Sequence, residues 1–164
     1  MARLDRSDKI HLEAAQGWLG LSDWREANDE LDRITPAMRA HPSVLRTRVL
    51  VCIAAEKWDL MHEIAQALLL KLPYDVLVCI YAGMALDRLN RTQEAYDLLA
   101  SGVKRFPQQA HVHYDLACYA CKIGRLNEAM SSLERAIDVS EKDIRQQALD
   151  DPALEPLWAN IGQI

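Results

Sequence analysis

The chain has 164 residues, half of them hydrophobic and 26% charged, with six Gly, six Pro and a formal net charge of −5. Such a length buries roughly two-thirds of the unfolded surface in one domain, and the scarcity of Gly and Pro suits a helical chain. The acidic balance, without any cluster of Lys or Arg, argues against nucleic acid as a partner.

The start, MARLDRSDKIHLEAAQ, lacks the apolar core of a signal peptide. The longest apolar run, around residues 65–72, is too short to span a bilayer, so no membrane insertion and a cytoplasmic location are expected. Ser7 or Asp8 is expected to cap a first helix that runs to about Gly20 and turns Ala14, Ala15, Trp18 and Leu21 inward. Ser22 or Asp23 then caps a second helix with Trp24, Ala27, Leu31 and Ile34 inside. Thr35-Pro36 ends it, because the residue before proline avoids helical geometry, and residues 37–41 make a short turn.

Pro42 suits the first turn of the next helix, which points Leu45, Val49 and Cys52 inward. Its partner helix contributes Trp58, Met61, Ala65 and Leu68. Arg48 falls where a buried apolar residue is expected; either its stem packs and its head reaches water, or the local register differs. The third pair buries Ala82, Gly83, Leu86 and Leu89, stops its first helix at Asn90, caps the second at Thr92 and buries Ala95, Leu98 and Leu99. Pro73 and Pro107 close the second helices of the second and third pairs. In the fourth pair Val112, Leu116, Ala117 and Ala120 precede a left-handed stop at Gly124, and Leu126, Ala129, Leu133, Ala136 and Ile137 follow it. Ile144, Leu149, Leu154, Leu157, Trp158 and Ile161 form a greasy terminal segment, with Asp151-Pro152 as cap and first helical residue.

The same plan recurs with a fixed period. Stepping back by 34 residues from Ala129 gives Ala95, Met61 and Ala27, all in second helices. With Ala110 as position 1, Leu116, Ala117, Ala129, Leu133 and Ala136 fall at positions 7, 8, 20, 24 and 27. This pattern resembles the tetratricopeptide repeat (TPR) of bacterial-type small TPR proteins, although His113 stands at position 4 where that family usually has Trp, and Ala120 at 11 where it has Tyr. The resemblance implies an all-α, right-handed superhelical solenoid of four TPR-like helix–turn–helix repeats with C-terminal capping helices. Its repeats would span about 8–41, 42–75, 76–109 and 110–143, with a capping segment at 144–164, in a single domain over 1–164.

In that family the first helices line a concave side. The resemblance therefore nominates Leu12, Gln16, Arg46, Leu50, Ile53, Leu77, Ile80, Tyr81, Met84, Arg88, Tyr114, Asp115 and Cys118 as a peptide-binding groove. Leu50, Ile53, Leu77, Ile80, Tyr81, Met84 and Tyr114 make it apolar enough to mark an interaction site, unless neighbouring helices cover it. The carboxylate clamp of chaperone-binding TPR domains is missing. Its positions carry Leu12, Gln16, Thr47, Leu77 and Tyr81, or, one unit on, Arg46, Leu50, Tyr81, His111 and Asp115, and neither set gathers positive charge.

His111, Cys118 and Cys121 share a helical face, but a zinc site needs a further ligand pair, and three-residue spacing within a helix is poor for a disulfide. With Cys52 and Cys79 they read as reduced, small apolar residues. No phosphate loop, HExxH or nucleophile elbow is present. The expectation is a non-catalytic scaffold without metal or cofactor, holding a protein or peptide partner. Alternatives are a small secretion-type chaperone shielding an apolar partner segment, or a subunit that self-associates through the same patch.

Overall fold

In the computed structural model, which describes residues 3–161 and only the backbone of 141–143, the three-and-four periodicities become ten α-helices. The chain divides into two compact units, Met1–Pro73 and Tyr74–Ile164. The first contains α1 (Arg6–Gly20), α2 (Trp24–Arg33), a 3-10 turn (Pro36–Met38), α3 (Pro42–Ala54) and α4 (Trp58–Lys71). The second contains α5 (Val76–Arg88), α6 (Thr92–Gly102), α7 (Ala110–Lys122), α8 (Leu126–Val139), α9 (Glu141–Asp150), a 3-10 turn (Pro152–Leu157) and α10 (Trp158–Ile161). Among the described residues no helix is long and apolar enough to cross a membrane.

Each first helix of a pair ends in the same way. Ser22, Glu56, Asn90 and Gly124, spaced 34 residues apart, adopt φ of 62°, 53°, 60° and 78°. The next amide in each case reaches back six residues' span into the helix: Asp23 to the Trp18 carbonyl, Lys57 to Cys52, Arg91 to Leu86 and Arg125 to Ala120, all at 2.8–2.9 Å. This is the Schellman closure, which satisfies carbonyls that the helix leaves without partners. Only the last two stops were legible as Gly or Asn; Ser22 and Glu56 hold the left-handed geometry against their own preference.

In the first unit, Leu12, Ala15, Ala27, Leu31, Ile34, Val44 and Val51 form the core. Trp18 and Leu21, expected inside, are 36% and 73% exposed. α1 packs on both α2 and α3, and the side that meets them carries Leu12 and Ala15 instead. Asp5, not Ser7 or Asp8, caps α1 by accepting from the Asp8 amide at 2.8 Å. Asp8 is buried, and its carboxylate accepts from the Thr35 amide at 2.8 Å, fastening the chain after α2 to the start of α1. Asp23 caps α2 as expected. His11 adds a 2.8 Å contact from α1 to Glu30 of α2.

Arg48 resolves both expectations for it. Its stem is largely covered, with 17% of the side chain exposed, and its head bonds α2 through Asn28 Oδ1 at 3.1 Å and Asp32 Oδ1 at 2.8 Å. A guanidinium there is tolerable because both of its terminal nitrogens find an acceptor on α2.

In the second unit the core runs through Ala95, Leu99, Ala117, Ala120, Ala129, Leu133 and Ala136, none of them exposed. A Cβ on Gly83 would stand 3.4 Å from both Leu99 and the Tyr119 ring, an ordinary contact distance, so the Tyr119 ring packs close to α5 at this point. Thr92 does not cap α6; Arg91 holds the cap position, and the Thr92 hydroxyl donates to Asp87 Oδ1 at 2.8 Å. Arg91 also forks onto the first-turn Glu94 with two 2.7 Å bonds. Ile144, Leu154, Leu157 and Ile161 are buried to 2% exposure or less, whereas Leu149 and Trp158 stay 39% and 37% exposed. Asp151 accepts from the Ala153 amide at 2.9 Å with Pro152 at the first position. The segment then winds as a 3-10 turn that contains Pro156. Of the expected capping segment, residues 162–164 lie outside the described residues.

Two substitutions test these assignments by calorimetric unfolding. Glu56→Gly removes a left-handed non-glycine residue and is expected to stabilise the fold by about 0.5–1 kcal/mol. Arg48→Ala loses stem packing and both bonds to α2, and is expected to destabilise it by about 1–2 kcal/mol.

Candidate interaction surface

On the first unit, α3 places Arg46, Leu50 and Ile53 on one face by three-and-four spacing. Leu50 is 40% exposed, and Arg46 and Ile53 are half-buried. Gln16 is exposed on α1 and donates to Thr47 Oγ1 of α3 at 3.4 Å, while the buried Thr47 hydroxyl donates to the Ser43 carbonyl at 3.1 Å. Leu12 does not line an open face. It is 8% exposed, because α1 meets α3 along that side.

On the second unit, α5 offers Leu77, Ile80, Tyr81, Met84 and Arg88 in the same spacing. Leu77 is 50% exposed, Arg88 is exposed, and Tyr81 and Met84 are half-buried. Ile80 packs partly against the core. The corresponding side of α7 is closed instead. Tyr114 and Cys118, expected to be groove residues, are 4% and 8% exposed, because the 3-10 turn after α9 packs on α7. The Tyr114 hydroxyl donates to Asp151 Oδ2 at 2.8 Å, and the Cys118 thiol reaches the same oxygen at 3.7 Å. The chain therefore supplies its own cover for the fourth pair, which no spacing rule announced; Asp151-Pro152 signalled only a helix start.

Asp115 lies beside this contact, largely buried. Burial, and then the charges of Asp151 and Asp87, push its carboxyl up to about 7. Asp87 is engaged by the Thr92 hydroxyl and by Lys122 of α7. Burial also raises the Tyr114 and Tyr119 phenols and, above all other causes, the thiols of Cys52, Cys79, Cys118 and Cys121. All four cysteines are buried and outside any disulfide, so their thiols are poor nucleophiles at neutral pH. His111 is exposed while Cys118 and Cys121 are buried. Among the described residues no three His, Cys, Asp or Glu side chains gather as a metal site would require.

No protein-family model matches the chain, and no curated protein sequence matches it. Solved structures do. MamA, residues 41 to the end, from Desulfovibrio magneticus RS-1 superposes with a TM-score of 0.78 at 15% identity, covering 98% of this chain and 92% of that one. YrrB, described as "a TPR protein with an unusual peptide-binding site", gives a TM-score of 0.73 at 18% identity over 88% of this chain and 75% of that one. MamA MSR-1 C2 gives 0.71 at 21% identity over 82% and 78%. At these identities the likeness establishes the fold, an all-α helical solenoid of the TPR type.

Tyr114→Phe deletes the hydroxyl that donates to Asp151 and leaves the ring in place. Chemical denaturation is expected to show a loss of about 1.5–3 kcal/mol, the range for a hydrogen bond to a charged acceptor.

Proposed function

We propose that the protein is a non-catalytic interaction module that holds a peptide segment of a protein partner against the open faces of its first helices. The observation that carries this reading is on α5, where Leu77, Tyr81 and Met84 line up at helical spacing and remain partly open to water. A helix whose other side already fills the core has no structural need for leucine on the water side. Met adapts its shape to a ligand, and Tyr offers apolar area with a polar tip. Arg88, exposed at the end of the same helix, would set charge preference. Leu50, Ile53 and Arg46 on α3 give the first unit a face of the same kind. The likeness to YrrB, described as having a peptide-binding site, supports the same reading.

The test is affinity capture from native extract with mass spectrometry, using the wild type and a Tyr81→Glu/Met84→Glu variant whose helical circular dichroism and melting are intact. The reading expects a protein captured by the wild type and lost, by at least about tenfold, with the variant. Equal capture by both contradicts the α5 face. Capture by the wild type of nothing but further copies of itself would replace the foreign peptide with self-association.

A further inference from the structure

We propose that the protein pairs weakly with a second copy of itself through α1, the two α1 helices packing antiparallel. A contrast within the repeat points there. Val44 of α3 and Val112 of α7 are wholly buried, and Cys52 and Ala120 one face-turn on are buried with them. They are covered because α2 packs on α3 and α6 packs on α7. Thirty-four residues before Val44 and Cys52 stand Ile10 and Trp18 of α1, and both are exposed, Ile10 by 54%. Among the described residues no helix precedes α1, and this side of it stays open. A terminal unit of a solenoid ordinarily turns a polar side to water. α1 instead keeps Ile10, Trp18 and Leu21 there.

The order of residues along this face fits a second copy. Ile10, Ala14, Gly17 and Leu21 follow at steps of four, three and four, the spacing of a seam between paired helices. Large, small, small, large is its own complement when reversed. A two-fold axis passing between residues 15 and 16 sets Ile10 against the partner's Leu21 and Ala14 against the partner's Gly17. The small residues at the centre let the two backbones approach, and Trp18 extends the apolar contact on one flank. In the single chain a Cβ on Gly17 would meet nothing within 4 Å, so no packing within the chain calls for a glycine that weakens the helix. The two Glu13 carboxylates would lie about 7.5 Å apart along the axis, so no like charges are set face to face.

The seam is short. Three partly open side chains with Ala14 and Gly17 fall well below the roughly 800 Å² per partner that a stable dimer buries, so the pair forms only at high concentration. Two-fold pairing uses this face on both copies, and assembly stops at the dimer. The pairing is separate from the α5 face, and either can fail without the other.

Sedimentation equilibrium of the full chain from about 10 μM to about 1 mM spans the range in which so small an interface associates. The wild type is expected to rise from monomer toward dimer and no further. Ile10→Glu/Leu21→Glu, two changes at exposed sites with folding checked by circular dichroism, is expected to weaken association at least about tenfold. Tyr81→Glu/Met84→Glu is expected to associate as the wild type does. Orientation is read by oxidising Ile10→Cys mixed with Leu21→Cys, the four native cysteines being buried. The mixed disulfide is expected to form faster than either homodisulfide. A wild type that stays monomeric throughout overturns the proposal, as does growth beyond the dimer. Association that survives Ile10→Glu/Leu21→Glu, or is lost in Tyr81→Glu/Met84→Glu, overturns it too. Homodisulfides that outpace the mixed one contradict the antiparallel pairing.

Discussion

The structure depends on the contact that lets two helices of a pair approach closely. Ala27, Ala95 and Ala129 are wholly buried in α2, α6 and α8, and Met61 holds the corresponding place in α4, also wholly buried. A methyl group at that crossing fixes the distance at which the larger side chains, Leu31, Leu99 and Leu133 among them, interlock. From that distance follow the turn geometry, with its left-handed residue every 34 positions, and the direction in which each first helix presents its other side. The face proposed for binding would therefore be a by-product of the packing face. It is made of residues that cannot reach the second helix.

This dependence explains what the sequence disclosed. Repeating alanines and leucines are legible because burial punishes any substitution there. The starts of α3, α5 and α7 at Pro42, Val76 and Ala110 stand at the expected spacing for the same reason. Features set by contacts distant in sequence were not legible. Leu12 reads as a surface residue until α3 covers it, and Trp18 reads as core until α1 turns its other side inward. Ser22 and Glu56 conceal two of the four helix stops, because the surrounding hydrogen bonds impose a geometry that neither residue prefers.

The candidate surface divides along the same line. The α5 face was legible, since Leu77, Tyr81 and Met84 at helical spacing have no place in the core pattern. The α7 face was misread, because its cover comes from a segment more than 30 residues away, joined through one tyrosine hydroxyl and one aspartate. Asp115 illustrates the chemistry that such a fold-back creates. An ordinary aspartate on a helix becomes, once covered, a carboxyl that titrates near neutrality. Arg48 shows the opposite outcome, a charge at a core position made harmless by Asn28 and Asp32.

If α5 carries the binding face, site-specific photo-crosslinking in native extract would read it out. A photoreactive residue would be placed in turn at Leu77, at Met84 and, as a comparison, at the exposed Asp97 of α6. A binding face on α5 gives a shared protein adduct from positions 77 and 84 and none from 97. The same adduct from position 97, with none from 77 or 84, would contradict it and put recognition on the second helices.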